Sequence, residues 1–374
     1  MHENLVEIWL PRLRRMNFFM LLCAALILFI GVCFIGSATS HTDAGSASFV
    51  ARQGLFILLG IIVFIALQEL SYLNLLRHIP WLYVLGMLLL CGVLFTRAVH
   101  GAQKWYDLYF LKLQPSELMK PIIVLTLAHY LMYRDSYKKL LGLAVPVLLV
   151  LAPIALILRQ PDLGTALAII PVMVAMLFVA GARVWHLLMM TLMGSSGLVM
   201  MWFWVMHDYQ KKRVWAWLHP ELYKLGEAWQ TLQAEVAIGS GGFWGKGLGN
   251  SPHVASLPEA HTDFIFAVIC EEGGFIIAAI LLLLVALLAL SGLGLAARTR
   301  EPAGRLIAVG CVTLFCSQAL INSGVALGLC PTTGLTFPFV SYGGSSVISS
   351  FVCLGLLINV GWQQAPVLAR EDFA

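Results

Sequence analysis

The sequence predicts an all-α polytopic membrane protein with about ten transmembrane helices and one large extracytoplasmic loop. Of its 374 residues, 60% are hydrophobic and only 11% are charged, against roughly 25% charged in a soluble domain. Apolar runs bounded by charges or turn residues recur at 17–37, 53–68, 79–97, 118–133, 140–158, 163–182, 185–206, 263–294, 305–329 and 343–362. A crossing helix takes about 20 mainly apolar residues, so ten use roughly 200 and leave the rest for connections. The same observations exclude other classes. No alternating ten-residue segments of an outer-membrane barrel are present, and a net charge of +4 spread over many loops gives no basic stripe for nucleic acid. Cys23, Cys33, Cys91, Cys270, Cys311, Cys316 and Cys353 lie inside apolar runs, where they act as small hydrophobes. Cys330 lies near a loop, and no CxxC spacing points to a disulfide framework or a zinc site.

The first run, Phe18 to Ser37, follows the basic stretch Arg12 to Arg15 like the front of a signal peptide. Its length suits a retained first helix. The fourth run opens at Gln114-Pro115-Ser116-Glu117, with proline at a first helical position and an acid that suits the helix dipole. Lys120, three residues beyond Glu117, shares its face, so the two either neutralise each other or bind something. The sixth opens at Pro161-Asp162-Leu163-Gly164-Thr165, where Asp162 fits a helix start. The chain reads as one membrane domain over 1–374, within which 207–262 is the large loop.

That loop ends at Pro258-Glu259-Ala260-His261-Thr262-Asp263-Phe264 and runs into a span containing Glu271 and Glu272. Asp263 reads either as a helix cap or as a functional carboxylate at the membrane boundary. The glutamates lie roughly 12 Å beyond it, a depth at which ionisable groups need partners or a wet cavity. The tenth run follows Pro331 to Ser346, whose prolines and glycines prevent a simple helix. Irregular backbone at membrane depth is tolerated where it is buried in protein or lines a cavity. Its hydroxyls suit a sugar or phosphate, or the segment is a structural plug. The glycine-rich stretch Ser240 to Gly249 lacks GxxxxGK[ST], so no nucleotide P-loop is supported. Glycine there is expected to let the backbone approach a bulky ligand or the membrane surface. No internal repeat is visible, which counts against inverted-repeat transporters.

Ten spans put both termini on one side, and the Lys/Arg excess of that side's loops makes it cytoplasmic once two loops are set aside. Those loops, near 97–120 and 207–262, hold Lys104, Lys112, Lys120, Lys212 and Arg213 against the rule. An external anionic ligand such as a phosphate would keep them there, although long loops also cross regardless of charge.

Gln114 to Glu117, Pro161 to Thr165, Pro258 to Phe264 and Ser341 to Ser346, in this order, resemble the defining motifs of the SEDS family over essentially the whole chain. The resemblance implies a peptidoglycan glycosyltransferase that polymerises lipid II at the outer face of the bacterial cytoplasmic membrane. It implies Asp263 as the catalytic residue. Lys104, Glu117, Lys120, Asp162, Lys212, Arg213, Glu259, His261, Thr262, Ser341, Tyr342 and Ser345 are the expected substrate contacts. Implied partners are a class B penicillin-binding protein supplying transpeptidation and other elongation or division membrane proteins. Lys104 stands where the family commonly has arginine, which keeps charge but loses bidentate geometry, and Tyr109 replaces a usual glycine. Gln160 and Met206 to Val214 resemble the RodA branch, favoured here for a role in elongation, whereas Gly247 to Ser251 look like the FtsW branch. These residues point to no particular cofactor, and a divalent cation is left open. The rival readings are a lipid II flippase, which would use Glu271 and Glu272, and a scaffold without catalysis.

Overall fold

In the computed structural model, which describes residues 17–40, 46–96, 103–108, 111–132, 140–204, 208–223, 226, 228–253 and 257–363, the apolar runs are helices in the predicted order. They are α1 (Phe18–Ala38), α2 (Ser46–Glu69), α3 (Tyr72–Val93), α4 (Pro115–Leu131), α5 (Ala144–Arg159), α6 (Leu163–Ala180) and α7 (Val184–Trp204). After the long connection come α8 (Asp208–Leu218), α9 (Trp229–Gly241), α10 (Ile265–Arg298), α11 (Pro302–Ala326) and α12 (Gly344–Trp362). Seven of these, α1, α2, α3, α6, α10, α11 and α12, are long and apolar enough to cross a membrane. Of the other three predicted spans, α4 has 17 residues and α5 has 16, and α7 has its apolar part at Val184–Gly194. The chain is a multi-pass helical membrane protein. Arg12 to Arg15, Tyr109 and His207 lie outside the described residues.

Local chemistry sets several boundaries. Asn17 caps α1 by accepting from the Met20 N–H at 3.2 Å. Pro115 opens α4 at its first turn, as expected. Pro80 lies inside α3, so the third span begins at Tyr72, earlier than the sequence suggested. Two features depart from the prediction. The long connection carries the helices α8 and α9, and a small antiparallel hairpin interrupts the all-α pattern. Its strands β1 (Tyr106–Leu108) and β2 (Leu111–Leu113) pair Tyr106 with Leu113 and Asp107 with Lys112. The alternation of apolar and polar residues in both segments suits a pleated pair.

Burial separates an inner from an outer set. The membrane-crossing windows of α11 and α12 are 78% and 83% buried, whereas that of α2 is 17% buried. α4 lies with the inner set, its Met119, Lys120, Val124 and Leu127 fully enclosed. The outer helices turn Leu58, Ile62, Leu85 and Leu88 outward, as helices facing lipid do. The polar motifs sit at the starts of α4, α6, α10 and α12, two of which belong to this inner set.

α10 is broken at Gly274, whose φ of 68° and ψ of −173° are not helical. The glycine-rich stretch docks into this break. Lys246 and Gly247 donate their N–H groups to the Glu271 and Glu272 carbonyls at 3.0 and 2.9 Å, and Phe275 donates to the Gly242 carbonyl at 3.0 Å. A Cβ at Gly245 would collide with the Glu272 backbone. The close approach that these glycines permit is thus to α10 itself, in place of the expected ligand or membrane surface.

Candidate active site

Four segments, far apart in sequence, meet at one end of the inner helices. Asp162 caps α6, accepting from the Thr165 N–H at 3.3 Å and the Thr165 hydroxyl at 2.9 Å. It also accepts from the Gln114 side chain at 2.9 Å and the Ser116 hydroxyl at 3.0 Å. That ties the start of α4 to the start of α6. The start of α12 joins through Ser345, which accepts the Gln114 N–H at 2.9 Å and donates to the Lys112 carbonyl at 3.1 Å. The segment before α10 joins through Ser341, whose hydroxyl donates to the Thr262 carbonyl at 2.7 Å, and through Tyr342, whose N–H donates to the His261 carbonyl at 3.0 Å. All four sequence motifs form one constellation.

Asp263 lies at its centre. The cap of α10 is Phe264, with no side-chain hydrogen bond, so the helix-cap reading of Asp263 has no support. Glu259, at φ 55°, starts the turn that presents Asp263, its carbonyl accepting from the Thr262 and Asp263 N–H groups at 3.0 and 3.2 Å. Burial pushes the Asp263 carboxyl up to about 6. Lys104 pulls it down, Glu259 and Asp162 push it further up, and the Thr262 hydroxyl lowers it. Opposite lies Gly334 at φ +66°, where a Cβ would sit 3.3 Å from Asp263 Oδ2. A side chain there would be strained and would crowd the carboxylate.

Lys104, with a side chain 15% exposed, is 3.9 Å from Asp162. Glu117 and Lys120 form a 2.7 Å ion pair with both side chains buried, and the Glu117 carbonyl accepts from Ser349 at 2.8 Å. The pair therefore neutralises itself within the wall beneath the site. His261 packs edge-on against Phe49 and Tyr342, with ring centroids 5.1 and 5.4 Å away, and burial lowers its pKa while Glu259 opposes. Glu259 itself is exposed.

Lys212 and Arg213 are exposed on α8, away from these contacts. Arg213 lines a cavity with Trp217, Glu235 and Thr332. Glu271 and Glu272 belong to a separate cluster. Glu271 pairs with Lys246 and His253, each at 2.7 Å, and Glu272 accepts from Ser37 at 2.7 Å and Ser251 at 2.6 Å. Among the described residues no group of three or more His, Cys, Asp or Glu side chains converges as a metal-holding set.

Sequence reasoning missed Asn322, whose side-chain N–H groups donate to the Asp263 carbonyl at 2.9 Å and the Leu335 carbonyl at 2.7 Å. The available signal was an amide inside an apolar span. It also missed the binding of Asp162 by Gln114 and Ser116, which needed the fold to bring α4 and α6 together.

The fold and site define a multi-pass membrane protein with one partly enclosed acid set among helix starts. The chain belongs to the FtsW/RodA/SpoVE family, whose cell cycle protein profile matches residues 17–365. It is 35% identical to the probable peptidoglycan glycosyltransferase FtsW of Trichlorobacter lovleyi, covering 96% of this chain and 97% of that one. It is 36% identical to the peptidoglycan glycosyltransferase MrdB of Escherichia coli, over 75% of this chain and 77% of that one. Among solved structures, a chain from a peptidoglycan synthase complex that coordinates polymerization and crosslinking superposes with a TM-score of 0.80 at 32% identity, covering 94% of this chain and 99% of that one. The rod shape determining protein RodA of Thermus thermophilus superposes with a TM-score of 0.70 at 31% identity, covering 94% and 98%.

Proposed function

We propose that this chain is a peptidoglycan glycosyltransferase that polymerises lipid II, with Asp263 as the general base. The observation that carries the reading is the convergence of the other three motifs around the segment that presents Asp263, with the Asp263 carboxyl pushed by burial up to about 6. Polymerisation requires a sugar hydroxyl to attack the anomeric carbon of a lipid-linked sugar, expelling a lipid pyrophosphate. A carboxylate with a pKa just below neutrality can accept the hydroxyl proton, a contribution of typically 10²–10⁴-fold. Direct displacement inverts the donor's α-linkage to a β-linkage. Lys104 is the cation placed to steady the leaving pyrophosphate, because Lys120 is already neutralised by Glu117. Arg213 and Lys212 meet the distal part of the substrate from α8.

The site faces the outside of the bacterial cytoplasmic membrane, with 207–262 outside and both termini inside. A cysteine at Leu222, 74% exposed, labels from outside intact cells, while one at Glu301 does not; the reverse pattern overturns this orientation. The transpeptidase partner is a class B penicillin-binding protein, a reading supported by the likeness to the synthase complex. Relatives named FtsW and MrdB match at similar identity, so assignment to elongation rests on Gln160 and Met206 to Val214. The flippase reading leans on Glu271 and Glu272, and both already have partners within the protein.

The test is purified protein with fluorescent lipid II in detergent, where no bilayer has two sides, scored for glycan polymer on a gel. Polymer is expected. Protein that moves lipid II across sealed vesicles but never polymerises it, with or without a partner transpeptidase, contradicts the reading.

A further inference from the structure

We infer that Asn322 is a positioning residue that fixes the Asp263 peptide relative to the Gly334 loop and so sets where the carboxylate stands during turnover. The inference rests on Asp263 acting as the base.

Asn322 lies near the end of α11 and is 1% exposed. One nitrogen, Nδ2, bridges two carbonyls from separate parts of the chain, Asp263 at 2.9 Å and Leu335 at 2.7 Å. The first backbone N–H groups of α10 bond to Phe264, from Ala267 at 2.9 Å and Val268 at 3.3 Å. The Asp263 carbonyl therefore stands one residue ahead of the helical ladder, and among the described residues the Asn322 amide is the donor that reaches it. The carbonyl is half-buried, and a carbonyl partly withdrawn from water costs free energy when its donor is lost, which makes this bond a constraint on the peptide that carries the carboxylate.

The second bond gives the constraint its direction. Leu335 directly follows Gly334, the residue whose added Cβ would fall 3.3 Å from Asp263 Oδ2. On its other side the loop touches the start of α6, since a Cβ at Gly164 would lie 2.8 Å from the Thr333 carbonyl. A single amide thus couples the base to the loop that separates it from the Asp162-capped helix. The apolar half of the same joint is the parallel stack of Phe266 on Phe337, with centroids 6.4 Å apart. The stack holds the two segments together without fixing their register, because parallel rings slide, whereas the amide bonds are directional.

A residue that only holds the fold and one that places the base differ in what its loss changes. Without the amide, the Asp263 peptide relaxes toward water, and the carboxyl drifts back toward its ordinary range from about 6. A misplacement of about 1 Å can cost on the order of 10²-fold in rate.

The experiment compares Asn322→Leu, which keeps bulk and removes the donors, with Asn322→Gln, which keeps the amide. Both are purified full-length and assayed on fluorescent lipid II across pH 5 to 8. For Asn322→Leu, kcat is expected to fall about tenfold to a hundredfold. Its KM for lipid II should stay within about twofold, with the acid limb moved to lower pH, and Asn322→Gln should recover part of the rate. Wild-type kcat and an unmoved acid limb in folded Asn322→Leu, with only a lowered melting temperature, overturn the inference and leave a structural role. Where the leucine variant fails to fold, Asn322→Ser carries the same readouts. A wild-type profile that is flat through pH 6 sinks the base reading instead, and kcat of the Asn322 variants still decides whether the clamp matters for turnover.

Discussion

Asp263 and Glu271 are carboxylates within the same stretch of chain, eight residues apart, and the protein treats them in opposite ways. Glu271 is fully enclosed and its charge is matched at one oxygen, which meets the Lys246 ammonium and the His253 ring at 2.7 Å and the Ser240 hydroxyl at 3.2 Å, while the other oxygen is buried without a hydrogen bond. Asp263 has the Thr262 hydroxyl and the more distant Lys104, with like charges at Glu259 and Asp162 working against it. An ion-paired carboxylate fixes structure, because its charge is matched by its neighbours. A carboxylate without a close cation keeps a proton affinity nearer neutrality, the state a general base needs. Depth in the membrane alone therefore does not separate the two acids; their partners do.

Replacing the two acids should break this comparison if it is wrong. Asp263→Asn preserves size and removes the base, so polymerisation should fall by at least about 10²-fold in the lipid II gel assay. Its stability should move the other way. The folded Asp263 binds its proton more tightly than the ordinary carboxyl at 3.8, so ionisation between that pH and about 6 removes stability as pH rises. The asparagine variant should accordingly melt at or above the wild-type temperature at pH 7.5. An active variant, or one that is inactive because it has unfolded, removes the contrast.

Lys104 comes next in size. Neutralising it as Lys104→Met should cost about tenfold in kcat/KM, the scale of one charge-assisted hydrogen bond. Lys104→Arg should be tolerated because it keeps the charge. Equal losses in both variants would mean that shape, not charge, is what Lys104 supplies.

Glu271→Gln should show the smallest effect on rate, with kcat per folded molecule within about twofold of wild type. Its cost should appear as stability. Breaking a buried pair costs about 3–5 kcal/mol, and the partial exposure of Lys246 and His253 reduces this to roughly 1–3 kcal/mol. Thermal melting in detergent measures it. A large loss of rate in well-folded Glu271→Gln would place the second cluster in the chemistry and revive the transport reading.

The helical order was legible in the sequence because each predicted span is an apolar run bounded by charges or turn residues, seven of them long enough to cross. The proline and acid starts of α4 and α6 were legible because they act within a single turn. The hairpin at Tyr106–Leu108 and Leu111–Leu113 was not, since three-residue strands carry too little pattern to stand out from a loop. Asp263, Asp162 and Lys104 could be named as a set, but that Asp263 is not a cap, and that Lys120 is neutralised within a wall, depends on contacts between segments distant in the chain. Asn322 stood out only as an amide in an apolar span, and it gains meaning from the two carbonyls it meets. The docking of Gly241 to Gly247 into the break at Gly274 likewise needed both partners in view.

The most direct measurement of the central claim is the pH dependence of kcat/KM for lipid II polymerisation by the wild-type protein and by Asp263→Asn. The base form of Asp263 fills as pH rises through about 6, so wild-type activity should fall about tenfold per pH unit below that point and level off above it. The residual activity of Asp263→Asn should show no such limb. A wild-type profile flat between pH 5 and 7, or the same limb persisting in Asp263→Asn, would contradict the assignment of Asp263 as the base.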